Sequence, residues 1–205
     1  DTLKACLNVA AIADIKKFKL LGGEPFLRNN LPDIICWIRQ ASPNADISIV
    51  TAGVVPLERL HAAWDAGLSR LNISIHGFTK EAFYSRNCSK DAYHKRDEFI
   101  RTVISENRAP LKLNYVYSSK KDEADLGIML NWAAKHGLFV NILDNLSLDL
   151  SWKIVADVIY RLHGKPNNIY EMPDSNSLPT LHWEYPDGLQ IEIKNHKLGD
   201  LAPYL

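Results

Sequence analysis

The residues best able to do chemistry fall at or near the ends of short apolar runs. Gly22-Gly23-Glu24-Pro25 closes the first run and Thr51-Ala52-Gly53 the second. Asn72, Ser74 and His76 alternate along the third, Lys112, Asn114 and Tyr115 lie in the fourth, and Asp144-Asn145 ends the fifth. Two adjacent glycines let backbone amides and carbonyls approach a ligand without interference from a Cβ. A carboxylate directly after them, Glu24, can accept charge-assisted hydrogen bonds from an ammonium group. Lys112 sits inside a strand, where an unpaired ammonium is costly. An anionic ligand would satisfy it, and snorkelling to the rim of the sheet is the alternative. His76 could shuttle a proton or line a pocket, and a solvated or structural histidine fits the same strand end.

The elements that must position these residues are legible from periodicity. Helical spacing is expected over Thr2 to Asp14, Leu31 to Ala41, Tyr93 to Glu106, Glu123 to His136 and Trp152 to Leu162. A further helix begins near Pro56 and is closed by Gly67. Strands are expected at Phe18–Leu21, Ile47–Val50, Leu71–Ile75, Leu111–Tyr117 and Leu138–Leu143. In Ala66-Gly67-Leu68 and again in His136-Gly137-Leu138, a glycine ends the helix and the next strand starts at once. Strands alternating with helices imply parallel β-α-β units and an α/β fold. In such folds sites form at the C-terminal ends of the strands, where the candidates lie. Periodicity alone leaves a full barrel, a partial barrel and a doubly wound sheet open.

The last forty residues break the alternation. Pro166 to Pro179 reads as a loop, and Leu181–Glu184 and Leu189–Ile193 flank Tyr185-Pro186-Asp187-Gly188 as a β-hairpin. The organisation expected is a core over 1–165 with a C-terminal extension over 166–205.

Bulk properties bound the partners. The chain has 205 residues, 46% apolar and 23% charged, with 24 basic and 24 acidic side chains. The balance gives no global attraction to nucleic acid or to an anionic membrane, and no apolar stretch is long enough to span a bilayer. Cys6, Cys36 and Cys88 are too widely spaced for a Cys-x-x-Cys metal site. They read as small buried hydrophobes in a reducing compartment, so a cytoplasmic protein without a metal site in this chain is expected. The tryptophans, mostly at helical positions, are expected to pack against the sheet rather than stack on a nucleotide.

Four motifs carry a family resemblance. Lys19 to Arg28 resembles the Gly-Gly-Glu-Pro strand end of radical S-adenosylmethionine (SAM) enzymes, in the form found in MoaA-like members. Val50-Thr51-Ala52-Gly53 resembles the family's Thr-Thr-Asn-Gly, and Asp65 to His76 its Ala-Gly-Leu-x-Arg-(Ile/Val)-Asn-Val-Ser-Leu-Asp. Leu111 to Val116 resembles Val-Lys-Val-Asn-Val-Val. The order and spacing match over Ile15 to Asp144.

The resemblance implies a partial (β/α) barrel with parallel strands and a β-hairpin appended at its C-terminal end. It implies SAM as cofactor, its methionine end at Gly22, Gly23, Glu24 and Pro25, with Thr51, Ser74 and Asn114 alongside. Lys19 and Lys112 map to residues that contact the substrate, and Val50 and His76 to the same side. It also implies a [4Fe-4S] cluster held by a three-cysteine loop, which is expected upstream of Asp1. The full-length form is then the enzyme, and the chain as given is expected to be inactive. An electron donor such as flavodoxin or ferredoxin completes the system. Val50, Ala52, His76 and Lys19 depart from the family pattern, which opens the substrate to a nucleotide, a peptide or a metabolite. Two other readings stand beside this one: a Schiff-base lyase using Lys112 as nucleophile, and a barrel remnant that binds a ligand or partner without catalysis.

Overall fold

The structure, a computed structural model, describes residues 2–86, 89–144, 152–172 and 180–194. Cys88 and Asn145 lie outside them. In chain order the elements are α1 (Thr2–Ile12), β1 (Lys17–Leu20), α2 (Leu31–Ala41), β2 (Asp46–Thr51), α3 (Leu57–Asp65) and β3 (Arg70–Ile75). They continue with α4 (Lys80–Ser85), α5 (Lys90–Glu106), β4 (Leu111–Tyr117), α6 (Glu123–Lys135) and β5 (Phe139–Asp144). Last come α7 (Trp152–His163), β6 (Asn168–Met172), β7 (Thr180–Glu184) and β8 (Gln190–Lys194). The chain forms two compact units, one of residues 1–74 and 90–111, the other of residues 75–89 and 112–205.

The first unit is built on parallel strands, β1 beside β2 and β2 beside β3. Ile47, Ile49, Leu71 and Ile73 are fully buried, and Ser48, Val50, Asn72 and Ser74 alternate with them onto the opposite face. The helices obey the sequence pattern: Leu31, Ile34, Ile35 and Ile38 of α2 are all buried. Arg39, near the end of α2, donates to the Gly67 carbonyl at 2.9 and 2.7 Å and to the Ser69 hydroxyl at 2.6 Å. One guanidinium thereby ties the end of α2 to the glycine turn between α3 and β3.

The second unit combines parallel and antiparallel pairing. β4 runs parallel to β5 and β5 parallel to β8, whereas β8–β7 and β7–β6 are antiparallel. The expected hairpin is therefore present, and β8 carries it onto β5. The stretch read as a loop from Pro166 contains β6, which the sequence did not signal. Its Ile169 and Tyr170 are 51% and 40% exposed, so an edge strand with little to bury carried no hydrophobic alternation. Asn168 and Tyr170 instead donate to the Glu184 carboxylate of β7, at 3.1 and 2.8 Å.

Asp125, buried at the start of α6, organises this unit. Its carboxylate accepts from the backbone N–H groups of Phe78 and Thr79, both at 2.7 Å, and from the Tyr115 hydroxyl at 2.9 Å. Thr79 in turn caps α4, a helix absent from the sequence reading, by accepting from the Ala82 N–H. The preceding turn requires glycine: Gly77 has φ +91°, and a Cβ there would lie 2.5 Å from the Ala82 carbonyl carbon.

Burial, then the adjacent Asp125 charge, push the Tyr115 hydroxyl far above the ordinary phenol pKa; burial does the same for Tyr185. The unfolded chain therefore binds fewer protons than the folded one above pH ~10, and stability falls there as pH rises. Below ~10 the contribution of these neutral phenols is fully present. Urea midpoints measured from pH 8 to 11.5 should be flat with respect to these groups at first and then decline. A Tyr115→Phe/Tyr185→Phe variant should show a shallower alkaline decline, and an unchanged slope would remove the two phenols as its cause.

Two cysteine expectations are corrected. Cys6 and Cys36 are exposed, not buried. Each neighbours a buried residue, Leu7 and Ile35, and successive helical positions point about 100° apart, so the neighbour of a core residue faces away from the core. Of the tryptophans, Trp64 and Trp183 are buried, the latter within β7 and stacked on Tyr160 at 4.6 Å, whereas Trp37 and Trp132 are half-buried. No helix among the described residues is long and apolar enough to cross a membrane.

Candidate functional site

In the first unit, Phe26 anchors the strand end after β1. It is fully buried and meets the Phe99 ring edge-on at 5.9 Å, while Arg59 donates to the Phe26 carbonyl at 2.7 Å. Pro25 starts a single 3₁₀ turn, and the Glu24 side chain caps it by accepting from the Phe26 N–H at 3.2 Å. The Glu24 carboxylate also accepts from the Thr51 hydroxyl, 2.9 Å from both oxygens, and from the Ala52 N–H at 2.9 Å. Thr51 itself accepts from the Gly53 N–H at 2.9 Å. A carboxylate has about four acceptor positions, and the hydroxyl has one proton to give. Three are used within the chain, and one is left for a ligand donor.

The glycines before Glu24 complete the cradle. Gly22 has φ +152°, and a Cβ added to either Gly22 or Gly23 would meet no atom of the described residues within 4 Å. For Gly23, nothing in the packing of the described residues asks for the absence of a side chain. That fits a backbone kept bare for a ligand, and a cationic amine suits the carboxylate beside it. The group the family motif calls for, the methionine end of SAM with its ammonium, therefore fits the residues present.

The other first-unit candidates share one sheet face. Lys19 registers with Ser48, and Val50 with Asn72, so Lys19, Val50 and Ser74 all lie on the face opposite Ile49 and Ile73. Lys19 is exposed, while Val50 and Ser74 are half-buried. Thr51 belongs to the opposite face, with Ile73 as its register partner.

The second unit carries His76, Lys112 and Asn114. His76 is exposed, directly before the Gly77 turn. Lys112 and Asn114 are half-buried on β4, on the face away from fully buried Leu113. The counter-charge that Lys112 needs comes from the chain: its Nζ donates to Glu192 of β8 at 2.6 Å and lies 4.1 Å from the Phe139 ring centroid. With its Nζ engaged by the Glu192 carboxylate, Lys112 is not presented as a free nucleophile, so this arrangement gives the Schiff-base reading no support. Asn114 accepts from the Asn141 side chain at 3.0 Å. Sequence reasoning missed Asn141, Glu192 and His182, which lie on this same face. Asn141 did leave a signal, as the one polar residue inside the run Phe139-Val140-Asn141-Ile142-Leu143. Among the described residues no group of His, Cys, Asp and Glu could hold a metal ion.

Comparison with known proteins identifies the family. Residues 1–133 match the model of the radical SAM superfamily. A probable GTP 3′,8-cyclase of Methanocella arvoryzae is 27% identical over 151 residues, covering 74% of this chain and 48% of that protein. One from Methanococcus aeolicus is 29% identical over 189 residues, covering 87% and 60%. The chain thus spans about half the length of these curated relatives. Streptococcus suis SuiB superposes with a TM-score of 0.66 at 10% identity, covering 98% of this chain and 44% of that one. That likeness bears on the fold alone, the α/β partial barrel with mostly parallel strands that radical SAM enzymes share. With two-thirds of its sequence under one family model, this chain belongs to the radical SAM superfamily.

Proposed function

We propose that this chain is the SAM-binding core of a MoaA-like radical SAM enzyme. The observation that carries the reading is the Glu24 carboxylate, fixed by three donors of its own chain and left with one acceptor position beside two bare glycines. SAM and a [4Fe-4S] cluster, when bound, supply a 5′-deoxyadenosyl radical that abstracts hydrogen from a substrate. The chain's own residues hold and orient. Glu24 takes the ammonium of the methionine end, Thr51 and the Ala52 N–H keep that carboxylate aimed, and Gly22 and Gly23 let the backbone come close. Pro25 sets the turn that delivers Phe26 to the core. Ser74 and Asn114 supply further polar contacts to the cofactor. Lys19, Val50, His76 and Lys112 face the substrate, a nucleotide, peptide or metabolite. The cluster ligands lie outside the described residues, and reduced flavodoxin or ferredoxin is the proposed electron source.

The test uses the full-length protein, reconstituted anaerobically with iron and sulfide and then reduced. SAM should be cleaved to 5′-deoxyadenosine and methionine in equal amounts. A reconstituted, reduced protein that binds no SAM and forms no 5′-deoxyadenosine would sink the reading.

A further inference from the structure

The polar face of the second unit's sheet carries a row of residues placed side by side by strand register. Asn114 registers with Asn141, Asn141 with Glu192, Glu192 with His182, and His182 with Tyr170. Lys112 and His182 both reach Glu192, Lys112 Nζ at 2.6 Å from Oε2 and His182 Nε2 at 3.4 Å from Oε1. The Glu192 side chain is 10% exposed and that of Lys112 24%. His182 is fixed by the Phe139 ring edge-on at 5.5 Å and the Tyr170 ring stacked at 5.6 Å. Asn141 is 7% exposed, and its Nδ2 donates to Asn114 while its Oδ1 has no hydrogen-bond partner among the described residues.

Two features of this row restrict what can bind against it. Lys112 and Glu192 sum to zero charge, so the lysine no longer presents a cationic field. A phosphate oxygen approaching Lys112 would meet the Glu192 carboxylate at the same place, and like charges repel most where solvent is scarce. Asn141 Oδ1 is an orphaned buried acceptor, which is expensive unless a ligand donates to it. A phosphate largely ionised at neutral pH brings acceptors instead. Both features favour an uncharged group with an O–H or N–H to give, such as a sugar hydroxyl or an amide.

We infer that this face binds an uncharged, hydrogen-bond-donating part of the substrate and rejects polyphosphate, with Glu192 as the residue that sets that selectivity. The inference rests on the radical SAM reading for the word substrate, but the charge argument stands on this face alone.

The experiment measures binding of GTP and of inorganic tripolyphosphate to the full-length reconstituted protein by calorimetry. Wild type should show no saturable binding of either up to about 1 mM. Glu192→Gln keeps an acceptor for Lys112 but removes the negative charge, and should tighten tripolyphosphate binding at least tenfold. Adding Lys112→Met to that variant should abolish the gain. Wild type that binds GTP below about 10 µM, with that binding lost in a folded Lys112→Met protein, overturns the inference. So does a folded Glu192→Gln protein with no gain. SAM binding is titrated in the same samples: its failure in wild type sinks the radical SAM reading, and the phosphate results still decide the charge of this face.

Discussion

Gly23→Ala should leave the protein as stable as wild type, or raise Tm by about 1–3 °C, while weakening SAM binding at least tenfold. The added methyl group meets no atom of the described residues within 4 Å, and Gly23 does not sit in the left-handed region that penalises side chains. Alanine also restricts the unfolded chain, which favours folding by about 0.4–1 kcal/mol. A position so permissive to its own protein has glycine for another reason, and the close approach of a ligand supplies one. Tenfold corresponds to about 1.4 kcal/mol. Glu24→Gln tests the neighbouring contact: it keeps the shape but loses the charge, and should cost a further ten- to hundredfold, the range of a hydrogen bond to a charged group. Equilibrium dialysis with labelled SAM measures both, beside a thermal melt. Unchanged SAM affinity in a well-folded Gly23→Ala protein contradicts the cradle; a loss of Tm instead would mean that the glycine serves packing.

Asp125→Ala should be the most damaging substitution outside the candidate site, costing about 3–5 kcal/mol. It strands three donors at once: the Phe78 and Thr79 N–H groups and the Tyr115 hydroxyl. Against a total stability of about 5–15 kcal/mol, that is a Tm drop on the order of 10 °C for a chain of this size. Tyr115→Phe removes one donor and leaves the other two satisfied, so it should cost about 1 kcal/mol. The double variant should then be little worse than Asp125→Ala alone, since the two residues share the contact. Additive losses in that cycle would show that the Tyr115–Asp125 bond contributes nothing of its own.

Much of the fold was legible because local chemistry and tertiary need coincided. The apolar face of α2, Leu31 to Ile38, and the glycine stops at Gly67 and Gly137 follow from spacing and backbone freedom. The cradle was legible for the same reason, since its four residues are contiguous. What the sequence hid is what depends on partners remote in the chain. Lys112 announced a need for a counter-charge, but Glu192 lies eighty positions on, and only the pairing of β8 with β5 makes it the answer. β6 was hidden because an exposed edge strand has no face to keep apolar. The exposed cysteines were misread because adjacency to a core residue in sequence is not adjacency on a helix.

The two compact units are interleaved along the chain: it passes from one to the other after residue 74, back at 90, and over again after 111. No single cut can therefore separate them as whole bodies. A fragment ending at Leu111 would carry Phe78 and Thr79 away from Asp125, and one beginning at Lys112 would keep the acceptor without its donors. Dissecting this protein by truncation would read out the loss of that shared wiring, so its parts are better examined by point substitution in the intact chain.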